Sequence, residues 1–129
     1  DLWPEGRYVT THIIVRTPYL EEHPEVVKAL LEGNLAAIER ITADPEGAQT
    51  VVNDAIEEYT GNRIPDAVIA AAFGNLEFTV DPIASSLKTS ADDAEAVGLL
   101  EPVDLDGIYD LAILNQVLEA EGRDPVEGQ

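Results

Sequence analysis

The two histidines are the side chains in this sequence best suited to chemistry, and their surroundings differ. His12 follows two threonines in a β-branched stretch, where its ring could face a cleft or could hydrogen-bond within the fold. His23 directly precedes Pro24 and is expected at a helix end or on the surface. Neither His-Glu-x-x-His nor His-x-His spacing occurs, so the sequence predicts no histidine metal site.

The other polar clusters give no sign of an enzyme. Acidic pairs occur at Glu21-Glu22, Glu57-Glu58, Asp92-Asp93 and Asp104-x-Asp106. The last pair faintly resembles a calcium loop but lacks its later oxygen ligands, so helix capping and solvated faces explain these acids better. Cysteine, Gly-x-Ser-x-Gly and glycine-rich phosphate loops are all missing. The sequence therefore predicts no catalytic residues, no metal and no cofactor.

A group of hydroxyl residues remains as a possible anion site. Ser85, Ser86, Thr89 and Ser90 follow one another along a predicted helix. They could bind an anion only if they faced a cleft, and the alternative is a polar helix surface.

Length and charge limit the classes of function. The 129 residues suggest one domain, and 45% hydrophobic residues suffice for a core. The chain has 26 acidic and 7 basic residues, giving a net charge of −19. Such a surface repels phosphate backbones and anionic lipid, which argues against nucleic-acid and peripheral-membrane roles. Solubility, or adaptation to salt or acid, explains the acidity better than a specific functional role does. No apolar run approaches the roughly 18 residues of a membrane span.

One segment has the composition of a strand buried on both faces. Residues 8–16 are β-branched and aromatic, with a continuous apolar run from Ile13 to Val15, and they end at Thr17-Pro18. Only Leu76–Val80 alternates like a second strand. An isolated strand exposes unpaired backbone groups, so we expect segment 8–16 to pair with another chain or with a second copy.

The rest of the sequence predicts about five helices, four of which open with a proline at the first position. The first begins at Pro24 and the second at Pro45, with Asp44 as its N-cap and Gly61 at its end. The third runs from Pro65 to Phe73, and the fourth follows Asp81-Pro82 as far as Val97. The last follows Asp104 or Asp106 and ends before Gly122.

Several phrases occur in an order that resembles a known family. They are Leu2-Trp3-Pro4-x-Gly6-Arg7-x-Val9-Thr10-Thr11-His12-x-Ile14-Val15-Arg16, Leu20-x-x-His23-Pro24-x-Val26-Val27-Lys28-x-Leu30-Leu31-Glu32-Gly33, Phe78-Thr79-x-Asp81-Pro82-Ile83-Ala84-x-Ser86-Leu87, Ser90-Ala91-Asp92-Asp93-Ala94, Val97-Gly98-Leu99-Leu100 and Asp104-Leu105-x-Gly107-Ile108-Tyr109-Asp110-Leu111-x-x-Leu114-Asn115. The set resembles the C-terminal part of the solute-binding proteins of aliphatic sulfonate ABC importers, whose relatives bind nitrate and taurine.

The resemblance implies an α/β fold, namely the C-terminal portion of a type II periplasmic-binding-protein fold. Residues 1–122 would belong to the solute-binding domain, with a hinge strand at 8–16 followed mainly by helices, and 123–129 would form a polar tail. Family members are about twice this length or more, so the chain is expected to be a piece of a longer precursor whose absent part pairs with the hinge strand.

The resemblance also implies a function without chemistry, the capture of an alkanesulfonate for import. In relatives the hinge strand faces the cleft, and neutral hydroxyl and N–H groups suit a sulfonate, so the predicted ligand-binding residues are Thr10, Thr11 and His12, together with Arg7. Taurine binders carry an acid at the position of Thr11, and its absence favours a plain alkanesulfonate. Implied partners are an ABC permease and, through segment 8–16, a second copy. The implied location is periplasmic or extracytoplasmic, with a possible lipid anchor.

Two alternatives to sulfonate capture stay open. One is a helical interaction module without transport function, and the other is a sibling binder of nitrate or taurine. The module would have to pair its lone strand in trans.

Overall fold

The computed structural model describes residues 3–127, which form six α helices. They are α1 (Thr17–Glu22), α2 (Pro24–Ala43), α3 (Pro45–Thr60), α4 (Asp66–Phe73), α5 (Ala84–Ala96) and α6 (Ala112–Ala120), preceded by a short 3₁₀ turn at Pro4–Gly6. Between residues 3 and 127, no helix combines the length and the apolar character needed to cross a membrane. The described residues divide into two compact units. One contains the residues up to Leu31 and those from Val80 onward, and the other is Glu32–Thr79.

In the second unit, α3 and α4 pack against each other as a helical hairpin. The start of α3 is fixed by Asp44, whose Oδ1 accepts a hydrogen bond from the N–H of Gly47 at 2.9 Å. The end of α3 is fixed by Gly61, which has a left-handed φ of 73° and donates its N–H to the carbonyl of Glu57. The predicted boundaries of this helix are confirmed.

A buried amide connects the two helices of the hairpin. Asn53 on α3 is 1% exposed, and its Nδ2 donates to the carbonyl of Ile64 at 2.7 Å. Its Oδ1 accepts from the N–H of Ile64 at 3.0 Å, so one side chain satisfies both backbone groups of a loop residue. Beside it, the Arg63 guanidinium bonds Asp54 and Glu57 and lies 3.7 Å from a carboxylate oxygen of Asp66.

The first unit buries α6 most deeply. Leu114, Val117 and Leu118 are all buried, and Leu118 is 1% exposed. Asn115 repeats the amide connection, because its Oδ1 accepts from the N–H of Val126 at 2.8 Å and its Nδ2 donates to the carbonyl of Val126 at 3.1 Å. The polar tail is thereby tied to α6. Helix α5 packs against the 3₁₀ turn near the N-terminus.

The predicted α/β fold class is wrong. Residues 3–127 contain no strand, so they have no sheet on which a type II periplasmic-binding fold could be built. Segment 8–16 and Leu76–Val80, the two predicted strands, both lack regular secondary structure. The physical reason is the missing neighbour: among the described residues, no backbone group of Tyr8–Val15 bonds another backbone group, and a strand exists only in a ladder.

Three helix starts differ from the prediction, each because of a local turn. Helix α5 begins two residues after Pro82, because Asp81 Oδ1 accepts from the N–H of Ile83 and Ile83 adopts a left-handed φ of 45°. Helix α6 begins only at Ala112, since Gly107 interrupts the chain with a φ of 74°. The Thr17-Pro18 pair, interpreted as the end of a strand, instead starts the additional helix α1.

Candidate functional site

The structure brings His12 together with two residues that are distant in sequence. Its Nε2 lies 3.2 Å from the hydroxyl oxygen of Tyr109 and 3.4 Å from the carbonyl oxygen of Pro82. The His12 and Tyr109 rings also contact each other, with centroids 5.7 Å apart and planes inclined by 42°. All three residues belong to the same compact unit. A residue singled out in the sequence therefore lies where the N-terminal segment, the start of α5 and the loop before α6 meet.

The hydrogen bonds of His12 depend on which ring nitrogen carries the hydrogen. The Pro82 carbonyl can only accept, so a hydrogen bond to it requires a hydrogen on Nε2. In that tautomer the Tyr109 hydroxyl accepts from the same N–H and keeps its own hydrogen for a further acceptor, whereas in the other tautomer it donates to Nε2. Burial raises the pKa of Tyr109 above its usual value, so this phenol stays protonated over the physiological range.

The backbone at the start of α5 is strained beside this cluster. Ile83 is buried and takes a left-handed φ of 45°, which is a rare conformation for a β-branched residue. Its N–H bonds Asp81, and its carbonyl accepts from both the N–H and the hydroxyl of Ser86. Such strain persists only where surrounding contacts impose it, and here those contacts fix the neighbouring Pro82 carbonyl that faces His12.

The predicted ligand residues next to His12 are accessible. Thr10 and Thr11 are exposed, and within residues 3–127 neither hydroxyl bonds another group. Arg7 is half-buried and already has a polar partner within the protein. The two threonine hydroxyls, unlike the Arg7 guanidinium, are therefore donors without a competing intramolecular contact.

The four hydroxyl residues of α5 do not form the anion site that their sequence positions allowed. Ser86 donates to the carbonyl of Ile83, Thr89 to that of Ser85 and Ser90 to that of Ser86, at 2.9–3.0 Å. Three of the four hydroxyl hydrogens are therefore used on the backbone of the helix and its first turn, and only that of Ser85 has no acceptor within the described residues. The alternative interpretation as a polar helix surface does not hold for Ser86, which is 2% exposed.

An open, mostly apolar groove lies beside Tyr109. Its volume is about 380 Å³, and its walls include Leu87 from α5 and Leu105 and Ile108 from the loop before α6. Lys88 borders the groove, but its ammonium is paired with both carboxylate oxygens of Asp92 at 2.8 and 3.0 Å. The groove could hold an alkyl group, and its lining also includes the polar residues Ser85, Asp106 and Tyr109.

The second histidine is not part of this site. His23 is exposed, contacts the ring of Tyr19 at 4.8 Å between centroids and lies 3.8 Å from Glu25. Among the described residues, no group of histidine and carboxylate side chains could hold a metal ion.

Tyr109 is the residue that sequence reasoning missed. It occurs in the last of the quoted phrases, but nothing in its neighbourhood marked it as a ligand residue. It lies 97 positions after His12, and only the fold brings the two together.

Comparisons with protein-family models, with curated proteins and with solved structures find no match for this chain. The resemblance to sulfonate-binding proteins therefore rests on the quoted residues alone.

Proposed function

We propose that this chain contributes the anion-binding residues of a substrate-binding component that captures aliphatic sulfonates for an ABC importer. The observation that carries the proposal is the contact between His12 and Tyr109. It joins the first and the last of the phrases that resemble the sulfonate-binding family, and it adds a phenol to the predicted set of donors. The proposed role is binding, and it does not require the α/β fold that the structure contradicts.

The chemistry of the cluster suits a sulfonate. Thr10, Thr11 and Tyr109 offer neutral hydroxyl donors, and His12 holds the Tyr109 hydroxyl in place. A sulfonate accepts several hydrogen bonds and does not become protonated at physiological pH, so neutral donors can bind it without a change of ionisation. The apolar groove next to Tyr109 offers a surface for a short alkyl group. Since no carboxylate stands at Thr11 to pair with an amine, a plain alkanesulfonate is preferred to taurine.

The affinity of these residues alone should be low. A hydrogen bond to a charged group contributes about 1.5–3 kcal/mol net, and association costs at least about 4 kcal/mol. Two or three such bonds correspond to millimolar binding. The net charge of −19 also opposes an anion, although salt screens charges beyond about 8–10 Å. The permease partner and the extracytoplasmic location implied by the resemblance stay predictions.

Calorimetric titration with ethanesulfonate tests the proposal. We expect a millimolar dissociation constant for the unmodified chain, a weaker response to taurine and nitrate, and none to ethylammonium, which has the same alkyl group and the opposite charge. His12→Ala should weaken ethanesulfonate binding at least about fivefold, because it removes the group that holds the Tyr109 hydroxyl in position.

His23→Ala is the matched control, since it removes the other histidine–tyrosine contact without touching the cluster. Its affinity should equal that of the unmodified chain. Equal binding by the His12→Ala variant would contradict the proposed site. A micromolar constant would contradict the low affinity derived from so few contacts.

A further inference from the structure

The N-terminal segment Tyr8–Arg16 is apolar and yet lies at the surface. Ile14 is 89% exposed, and Tyr8, Ile13 and Val15 are exposed as well. Beside them runs an open groove of about 390 Å³, whose walls include Tyr19 from α1 and Val26 and Leu30 from α2. These helix residues are also exposed. The groove residues and the exposed apolar side chains of Tyr8–Arg16 all belong to the first unit, and we call them together the N-terminal patch.

The backbone of this segment is also unpaired. In the described part of the chain, no N–H or carbonyl of Tyr8–Val15 bonds another backbone group. None of its residues has a positive φ, so the segment can adopt a strand without a change of handedness. Its composition of β-branched and aromatic residues favours that conformation.

The charge distribution singles out the same segment. Residues 6–20 carry Arg7 and Arg16 and no acid, giving +2. The remaining residues carry 26 acids and 5 bases, or −21, which accounts for the total of −19. Two copies of so acidic a chain repel each other wherever carboxylates meet. The N-terminal segment is the longest acid-free stretch that each copy can offer to the other.

We propose that two copies of this chain associate through the N-terminal patch, with residues 8–16 of each copy pairing as antiparallel strands. Main-chain hydrogen bonds between the copies would satisfy the backbone groups along the paired edge of each segment, and apolar side chains would gain cover from the facing copy. An antiparallel arrangement brings Arg7 of one copy towards the end of the other copy's segment, where Glu21 and Glu22 follow. A two-fold contact of this kind is closed, so it produces dimers and not fibres.

The dimer should be weak and should depend on salt in an unusual direction. Each copy offers only one short segment and the neighbouring faces of two helices, whereas specific interfaces bury roughly 800 Å² per partner. Because the net charge of each copy opposes association, added salt screens the repulsion and strengthens the dimer. Sulfonate binding is not needed for this contact, so the inference goes beyond the proposed function.

Sedimentation equilibrium of the full chain over a range of concentrations tests the inference. We expect a monomer–dimer equilibrium that shifts towards dimer when the salt is raised from about 0.05 to about 0.5 M. Ile14→Glu should raise the dimer dissociation constant at least about tenfold, because it puts a charge into the paired apolar surface.

Leu99→Glu is the matched control. Leu99 is 83% exposed in the same unit but outside the N-terminal patch, and the substitution adds the same charge. Both variants add one negative charge, which weakens dimerisation of this acidic chain slightly wherever it is placed. Apart from that shared effect, the dimer dissociation constant of Leu99→Glu should stay within about twofold of the value for the unmodified chain. Both sites are exposed, so both variants should retain the helical circular-dichroism spectrum.

Amide hydrogen exchange locates the contact. Exchange in residues 9–15 should slow as the protein concentration rises, and exchange in α3 should not change. A chain that stays monomeric to about 1 mM in high salt would overturn the inference. Dimerisation that responds equally to both substitutions, or that leaves exchange in residues 9–15 unchanged, would overturn it too. Because His12→Ala removes only a side chain, this variant should still dimerise, which separates this test from that of sulfonate binding.

Discussion

The hairpin of α3 and α4 differs from the N-terminal segment Tyr8–Arg16 in how far its apolar side chains are buried and its backbone groups are paired. Both contain apolar residues and backbone groups that need partners. In the hairpin, Ile69 is buried, and Asn53 satisfies both backbone groups of Ile64. In the segment, Ile14 is exposed, and no backbone group of Tyr8–Val15 bonds another backbone group in the described chain.

The difference lies in the range of the interactions that each region needs. The partners within the hairpin lie only 11–13 residues apart along the chain, so local signals suffice. A strand requires a neighbouring strand, and its own sequence cannot supply one. Strong β propensity at residues 8–16 therefore yields an exposed extended segment and not a sheet.

The largest predicted effect comes from truncating the same residue type in both regions. Ile69→Ala should lower the free energy of unfolding by about 2–4 kcal/mol, since Ile69 is 6% exposed and its loss leaves a cavity. Ile14→Ala should change it by less than about 0.5 kcal/mol, because that side chain is 89% exposed. Urea unfolding followed by circular dichroism measures both. Similar losses for the two variants would abolish the contrast between the regions.

The next effect concerns the buried amide of the hairpin. Asn53→Ala should cost about 2 kcal/mol, because the N–H and carbonyl of the half-buried Ile64 lose the buried amide that bonds both of them. Asn62→Ala is the control, since Asn62 is exposed and its side chain bonds only Thr60, two residues earlier. Native-state hydrogen exchange of the Ile64 amide should accelerate in the first variant alone. An unchanged rate there would show that the amide does not hold the loop.

Alanine substitutions at two glycines should have smaller effects of opposite sign on the free energy of unfolding, and they test the backbone conformations at those positions. Gly61→Ala should destabilise by about 1 kcal/mol, because the φ of 73° at the end of α3 is unfavourable for a side chain. Gly33→Ala should stabilise by about 0.5–1 kcal/mol, since Gly33 lies inside α2 with open space around it. Thermal or urea unfolding gives both values, and a shared sign would contradict the assigned conformations.

The smallest effect is a pH dependence at Tyr109. Burial raises the pKa of this phenol in the folded state, so the unfolded chain loses the proton first as the pH rises. Stability should therefore fall as the pH increases through about 10, the usual value for tyrosine. Tyr109→Phe should reduce this loss, whereas Tyr59→Phe should not, because Tyr59 is 84% exposed. Identical pH profiles for the two variants would contradict the burial of the phenol.

The sequence predicted the local features of the fold and missed those that depend on distant contacts. The bounds of α3 were predicted from residues at its own ends, namely Asp44, Pro45 and Gly61, and the structure confirms them. The α/β fold class, which the resemblance implied, was wrong because the described residues contain no strand, and the β-branched run at residues 8–16 stays without regular secondary structure. The late starts of α5 and α6 follow from positive φ angles at Ile83 and Gly107. The glycine gives a sequence signal for such a conformation, but the isoleucine gives none.

The candidate site shows the same difference between local features, which the sequence predicted, and distant contacts, which it did not. His12 could be singled out from its two threonine neighbours, but its partners could not. Tyr109 stands 97 positions away and Pro82 contributes a backbone carbonyl, which has no signature in the sequence. The serines of α5 were candidates for an anion site because they follow one another along a helix. The structure shows that the hydroxyls of Ser86 and Ser90 donate to backbone carbonyls instead.

The most direct test of the proposed function is an amide chemical-shift map of the chain titrated with ethanesulfonate. We expect concentration-dependent shifts in residues 9–12, around Ile83 and at Tyr109, and none in α3 or α4, because His12 contacts Tyr109 and Pro82 within the first unit. Ethylammonium should leave the same amides unchanged. Shifts that occur mainly in the hairpin, or no shifts at ligand concentrations far above the millimolar range, would contradict a sulfonate site at His12 and Tyr109.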